Sequence, residues 1–169
     1  GFGTSFDDCP KTFDANIHYY LYEGDKECAD AMKNENERKN YTILPHCLGA
    51  EKSKKKLNIT KNPFGSSLYQ PNSYYENYYG EVNTGKTVYD AIFGQWCKKI
   101  RDVDVEVNSL DNLFQSGALV ATAQPDFLSV DTQGSEFDIF KGAAKTIENG
   151  VLGIVSEIEF HPLYKDQPL

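Results

Sequence analysis

The chain has 169 residues, of which 40% are apolar and 25% charged, and this composition excludes a fully disordered or fibrous protein. Its 17 basic and 25 acidic residues give a net charge of −8, which argues against nucleic acid or an anionic membrane as the main partner. No apolar run approaches the roughly 18 residues that a membrane-spanning helix requires, and no signal peptide is visible.

A strand, a helix and a second strand are predicted in the first third of the chain. Residues 17–23, IHYYLYE, are rich in aromatic side chains, which is typical of a strand, and Gly24 ends it. Asp25 can cap a helix that runs roughly to Glu37. Residues 41–49, YTILPHCLG, predict the second strand, so the two strands are expected to be parallel.

The middle of the chain shows a weaker pattern. A lysine-rich turn is predicted over residues 51–56, followed by an edge strand at 56–60, KLNIT. Residues 62–82 predict a long loop whose tyrosines either stack on a ligand or cover an edge of the core. Residues 87–99 fit a strand or a helix, whereas 103–110, VDVEVNSL, alternate as in a strand.

The last third predicts a second βαβ unit, after a short helix through Leu113. Residues 126–131, DFLSVD, form its first strand, and Ser135 with Asp138 makes a capping-box pattern for the following helix. Residues 151–160 predict a long final strand. Together the two units predict an α/β fold with a doubly wound, mostly parallel sheet.

In such sheets ligands bind beyond the carboxyl ends of the strands. Gly3 and Glu23 are 20 residues apart, the spacing at which a glycine turn lies beside an acid that accepts hydrogen bonds from a ribose. The phosphate-cradling GxGxxG is not present, because Gly1 and Gly3 are followed by Thr, Ser and Phe at positions 4–6. This favours a nucleoside without a pyrophosphate over NAD.

Four stretches, in the right order along the chain, resemble the FkbM-type methyltransferases. Residues 126–143 resemble that family's Asp-x-Gln-Gly-x-Glu stretch with its Gly-Ala end, and 153–169 resemble the strand and tail that follow. Residues 20–32 are similar to its aromatic-Glu-Pro-Asp segment, and 41–72 to its third strand and Ser-Ser-Leu-Tyr loop.

The resemblance implies one S-adenosylmethionine-dependent methyltransferase domain over residues 1–169, with the Rossmann-like class I fold. Its acceptor would be a hydroxyl oxygen of a sugar, a glycan or a small natural product. The implied cofactor-binding residues are Gly1, Gly3, Glu23, Cys47, Leu48, Ser66, Ser67 and Asp131.

The family pattern assigns these residues to different parts of the cofactor. Gly1 and Gly3 would belong to the glycine turn, and Glu23 would hold the ribose hydroxyls. Leu48, near Cys47, would contact the adenine, while both serines and the aspartate would line the methionine and acceptor side.

The chain also departs from the family pattern. Gly24 stands where Pro is usual, and Cys47 replaces a frequent Ala. The strand before Gly1 and the strands expected after Leu169 are missing, so the chain is expected to be a fragment, incomplete at both ends.

Asp131 is the first candidate catalytic residue, with its role as base or positioning group open; Glu157 and His161 follow it. Asp131 would alternatively fix the TQG turn, and His161 before a proline is typical of a turn. Glu136 is expected to stabilise a helix N-terminus through the dipole. Glu157 and Glu159 are expected to share one face of the last strand.

Two other functions stay open: a noncatalytic α/β binding module, and a nicotinamide-dependent oxidoreductase, which the missing third glycine disfavours. The four cysteines are widely spread without a CxxC pair, which favours reduced thiols and a cytoplasmic protein. Three histidines, one per region, do not provide the usual zinc spacing, so no metal site is expected.

Overall fold

The structure is a computed structural model that describes residues 16–35, 40–74, 98–117 and 124–169. Predictions for residues 1–15, which include Gly1 and Gly3, and for 75–97 lie outside the described residues. Its strands are β1 (Tyr19–Tyr22), β2 (Tyr41–Leu44), β3 (Cys47–Leu48), β4 (Ser53–Thr60), β5 (Lys99–Asn108), β6 (Phe127–Val130) and β7 (Gly153–Ser156). Its helices are α1 (Lys26–Glu35), α2 (Leu110–Gln115), α3 (Glu136–Gly142) and α4 (Ala144–Glu148), with a 3₁₀ turn at Pro63–Gly65.

The described strands form three small sheets. β1 pairs in parallel with β2, and β6 pairs in parallel with β7. In the third sheet β5 lies between β3, which is parallel to it, and β4, which is antiparallel. Because α1 joins the first pair and α3 and α4 join the second, both βαβ units are confirmed, as is the α/β class. A single doubly wound sheet is not confirmed.

The strand predicted over residues 41–49 is divided by Pro45. The proline has no N–H with which to continue the ladder, and β2 ends just before it. The N–H of His46 turns back to the Leu44 carbonyl at 2.9 Å. The chain then enters the other sheet as β3, where Cys47 pairs with Val107.

The lysine-rich turn predicted over residues 51–56 is wrong, because β4 begins at Ser53. Lys54 lies opposite Glu106 of β5, and Lys56 lies opposite Asp104, with 3.0 Å between Lys56 Nζ and Asp104 Oδ1. Opposite charges across the ladder offset the repulsion among neighbouring lysines, so the run is compatible with a strand.

The second unit differs from its predicted pattern in two ways. β7 ends at Ser156, so Glu157 and Glu159 follow the strand instead of sharing a face of it. The capping box is also wrong, because Ser135 makes no side-chain bond to the helix and its hydroxyl contacts Thr132 Oγ1 at 2.9 Å. Local side-chain bonding in the turn competes with capping for this serine.

One apolar cluster joins the elements that carry the site. Leu110, Leu113 and Ala143 are buried at its centre, and it draws side chains from β1, β2, β3, β6, α2, α4 and the junction between α3 and α4. The partly buried members are Tyr22, Leu44, Leu48, Phe114, Leu128 and Ile147. Within the described ranges, no helix has the length and apolar character needed to cross a membrane.

Candidate active site

Two carboxylates predicted as site residues meet where β6 and β7 end. Asp131 follows β6 directly and Glu157 follows β7, and the Glu157 N–H donates to the Val130 carbonyl at 3.1 Å. The amide of Gln133 joins the two side chains: its Nε2 donates to Asp131 Oδ1 at 3.0 Å and to Glu157 Oε2 at 2.8 Å. The structure therefore brings Asp131 and Glu157 into one cluster.

Glu136 holds the TQG turn between β6 and α3. Its Oε1 accepts from the Thr132 N–H at 2.7 Å, and its Oε2 accepts from the Gly134 N–H at 2.9 Å. The backbone turns with φ of 57° at Gln133 and 101° at Gly134, in the left-handed region. Glu136, and not Asp131, is therefore the carboxylate that fixes the turn.

The Ser-Ser-Leu-Tyr loop is bonded to the same turn. Ser67 is buried, and its hydroxyl donates to the Gln133 carbonyl at 2.6 Å. The Tyr69 hydroxyl donates to Asp138 Oδ2 in α3 at 2.8 Å. Ser66 points elsewhere, since its Oγ accepts from the Thr60 N–H at 3.2 Å. Of the two predicted serines, Ser67 contacts the acid-bearing turn.

The C-terminal tail supplies a residue that the sequence analysis missed. Tyr164 is completely buried, and its hydroxyl lies 2.8 Å from the Gly65 carbonyl and 3.2 Å from Gln133 Oε1. The Gln167 side chain accepts from the Tyr164 N–H at 2.9 Å and donates to Glu159. Three of the stretches that carry the family resemblance thus meet at Gln133.

The environment of the pair favours the protonated form of one carboxyl. Partial removal from water raises the pKa of Glu157 from its ordinary 4.5 to about 7, and the hydrogen bond to Asp131 and the charges of Asp131, Glu159 and Glu136 add to this. The pKa of Glu159 is also raised, first by burial, although its hydrogen bond from Gln167 opposes the shift. A carboxyl that titrates near neutrality can both release and accept a proton at physiological pH.

Glu23 forms a second group at the end of β1. Its N–H donates to the Leu44 carbonyl at 3.0 Å, and its Oε1 accepts from the Asp25 N–H at 2.9 Å. Asp25 is buried and bonded to Arg101 Nη2 at 3.1 Å. Within the described ranges, Glu23 Oε2 makes no hydrogen bond.

Cys47 belongs to the Glu23 group, whereas Leu48 faces the core. Burial raises the pKa of the Cys47 thiol to about 12, with contributions from the charges of Glu23 and Asp25. Leu48 packs against the central apolar cluster, so its contact with adenine stays a prediction. His161 lies in a turn, where its carbonyl accepts from the Leu163 N–H at 2.8 Å, and its catalytic role also stays a prediction.

The part of the chain that the structure describes holds no group of three His, Cys, Asp or Glu side chains suited to a metal ion. The site is thus a carboxylate cluster beside the TQG turn, with a second acidic group after β1.

The stability of the protein should depend on pH through Glu157. Because the pKa of Glu157 in the folded state is about 7, above its ordinary 4.5, the folded state binds more protons between these values and loses stability as the pH rises through them. Glu157→Gln removes this loss. After allowance for solvent screening at this exposed group, we expect the free energy of unfolding of Glu157→Gln to exceed that of the wild type by about 1 kcal/mol at pH 8, or about 2–4 °C in Tm. We expect no difference at pH 4.5.

Thermal unfolding at both pH values checks this result, with Glu148→Gln on α4 as the matched control. The control should show the same Tm difference at both pH values. An equal Tm change for Glu157→Gln at pH 4.5 and pH 8 would contradict the assignment.

The comparisons with known proteins agree with the motifs that meet in this site. The family described as "Methyltransferase FkbM domain" matches residues 5–169. No curated protein and no solved structure matches the chain. The match covers nearly every residue and confirms the resemblance found in the sequence: the chain belongs to the FkbM methyltransferase family.

Proposed function

We propose that this methyltransferase domain binds S-adenosylmethionine at the carboxyl ends of its parallel strands and methylates a hydroxyl oxygen of a sugar, a glycan or a small natural product. The observation that carries the proposal is the Asp131–Glu157 pair, which combines adjacent carboxylates with a pKa near neutrality. Family membership supports the reaction class.

Glu23 Oε2, which makes no hydrogen bond within the described ranges, fits a cofactor that contains a ribose. A carboxylate accepts hydrogen bonds from both vicinal hydroxyls, and Glu23 keeps Oε2 for this purpose while Oε1 binds the Asp25 N–H. Cys47 lies beside it, where the resemblance assigns the adenine contact. When bound, S-adenosylmethionine supplies an electrophilic methyl group; orientation and proton removal are left to the protein.

An alcohol must lose its proton to become a methyl acceptor. In this site the proton would pass from the acceptor hydroxyl to a carboxylate oxygen of Glu157, whose pKa of about 7 leaves about half of the groups ionised at neutral pH. A positioned base of this kind contributes about 10²–10⁴-fold to rate. Asp131 would position the acceptor or share the proton with Glu157.

Calorimetric titration with S-adenosylhomocysteine tests the proposal. We expect the protein to bind, and Glu23→Gln to bind about tenfold more weakly, because the variant loses a charge-assisted hydrogen bond to the ribose. Glu27→Gln makes the same chemical change four positions later, in the first turn of α1, and should bind like the wild type.

Two outcomes would oppose the proposal. No heat at high micromolar ligand would favour the noncatalytic binding module over an enzyme. Equal affinities for the Glu23→Gln and Glu27→Gln variants would remove Glu23 from the cofactor site. Fluorescence quenching by NADH, but not by adenosylhomocysteine, would instead indicate the oxidoreductase.

A further inference from the structure

We propose that Gln133 and Tyr164 are positioning residues for the carboxylate pair: the Gln133 amide is the donor that Asp131 and Glu157 share, and the Tyr164 hydroxyl holds the opposite end of that amide in place. The catalytic meaning of this arrangement rests on the proposed function, in which the pair accepts a proton from the methyl acceptor.

The chemistry of the neighbours decides which way the amide points. Ionised carboxylates only accept hydrogen bonds, so when both acids are ionised the side of Gln133 that faces Asp131 and Glu157 must be its NH₂ group. Both protons of that group are then used, because Nε2 lies 3.0 Å from Asp131 Oδ1 and 2.8 Å from Glu157 Oε2. The carbonyl oxygen Oε1 is left facing the opposite direction, toward Tyr164.

Tyr164 supplies the donor on that opposite side. Its single hydroxyl proton is shared between the Gly65 carbonyl at 2.8 Å and Gln133 Oε1 at 3.2 Å. The ring is completely buried, and its backbone N–H is bonded to Gln167, so the hydroxyl is held in place. A reversed amide would put its oxygen against two carboxylates, which is unfavourable, whereas the Tyr164 hydroxyl, which can donate or accept, keeps the far end of the amide in place.

The backbone of the turn aims the Gln133 side chain at the pair. Gln133 has a φ of 57°, which is uncommon for a residue other than glycine. The Glu136 carboxylate bonds the N–H groups on both sides of it, and the Ser67 hydroxyl donates to its own carbonyl at 2.6 Å. Three hydrogen bonds outside the amide therefore maintain one conformation of the turn.

The pair needs such a donor because its surroundings are negative. Glu159 and Glu136 add their charges to those of Asp131 and Glu157. In the described part of the chain, no lysine or arginine forms an ion pair with either member. The Gln133 amide is thus a donor placed on both carboxylates, and a hydrogen bond to a carboxylate favours its ionised form.

Carboxyl ¹³C NMR on protein labelled at glutamate tests this without any ligand, with Glu157→Gln to assign the signal. Gln133→Met keeps the length of the side chain and removes the donor, so the midpoint of the Glu157 titration should rise by about one pH unit. Tyr164→Phe keeps the buried ring and frees the amide, so the midpoint should rise by about half as much.

Tyr69→Phe is the matched control, since it removes another tyrosine hydroxyl bonded to a carboxylate of the same region, that of Asp138. It should leave the Glu157 midpoint unchanged. An unchanged or lower midpoint in Gln133→Met would overturn the proposal, as would equal shifts in Tyr164→Phe and Tyr69→Phe. Should Gln133→Met not fold, the wild-type side-chain NH₂ signals of Gln133 decide: they must titrate at the Glu157 midpoint.

The two proposals fail separately. Shifted midpoints without binding of adenosylhomocysteine would retain the positioning role and reject the cofactor. Binding with unshifted midpoints would retain the cofactor and reject the positioning role.

Discussion

Gly142→Ala should lower the free energy of unfolding by about 3 kcal/mol, although alanine is the better helix former. A Cβ at position 142 would lie 2.0 Å from the Gly49 carbonyl oxygen and 2.9 Å from Ser109 Cβ. Gly49 cannot easily retreat, because its N–H is bonded to the Asn108 carbonyl at 2.9 Å. The end of α3 must therefore move away from Gly49 and Ser109, which directly follow β3 and β5.

Urea unfolding measures this loss, and Gly153→Ala provides the control with the same substitution. A Cβ at position 153 would meet only the ring of Phe127, at 3.0 Å, and that ring is 55% exposed and can turn aside. We expect a change below about 1 kcal/mol there. Equal losses in the two variants would mean that the contact between α3 and Gly49 does not hold the domain together.

The sequence predicted the framework of the site because periodicity and chain order carry that information. Alternating and helical patterns located both βαβ units, and parallel pairing then places Asp131 and Glu157 after neighbouring strands. The same reasoning predicted one strand over residues 41–49, which is too long. Pro45 ends the hydrogen bonding of β2, and the chain continues as β3 in another sheet.

The residues around the pair could not be predicted in the same way. Gln133 lies in a turn, where no periodicity applies, and its orientation depends on a positive φ and on Tyr164, 31 positions later in the chain. The capping-box pattern at Ser135 failed for a related reason: Thr132 and Glu136 provide local partners that the pattern does not include. The rule that ligands bind beyond strand ends pointed to residues 131–136, and only the family motifs pointed to the tail that contains Tyr164.

Gly24 and Cys47 should behave as a coupled pair in a double-mutant cycle. These are the two positions where the chain departs from the family pattern of Pro and Ala, and the structure places them in contact. A Cβ on Gly24 would lie 2.0 Å from Cys47 Sγ, but 3.4 Å, an ordinary contact distance, from Cys47 Cβ. The thiol thus occupies the space that any side chain at position 24, proline included, would need.

Gly24→Ala alone is therefore expected to cost about 2 kcal/mol, and Cys47→Ala about 1 kcal/mol for the lost packing of a half-buried thiol. In the Cys47→Ala background, Gly24→Ala should cause almost no further loss of unfolding free energy, because the sulfur that would clash with the new Cβ is absent. The coupling free energy from urea unfolding should then be about 2 kcal/mol and favourable.

Cys47→Ser is the control that separates the clash from the chemistry of sulfur. Serine keeps an atom at the γ position, so Gly24→Ala should still lower the free energy of unfolding in that background. Additive losses in the Cys47→Ala cycle would refute the steric explanation. The same variants bear on the cofactor site, since Glu23 immediately precedes Gly24. If the Gly24→Ala/Cys47→Ala double variant binds adenosylhomocysteine like the wild type, then the position of the Glu23 carboxylate is set by the backbone at the end of β1 and not by the thiol beside it.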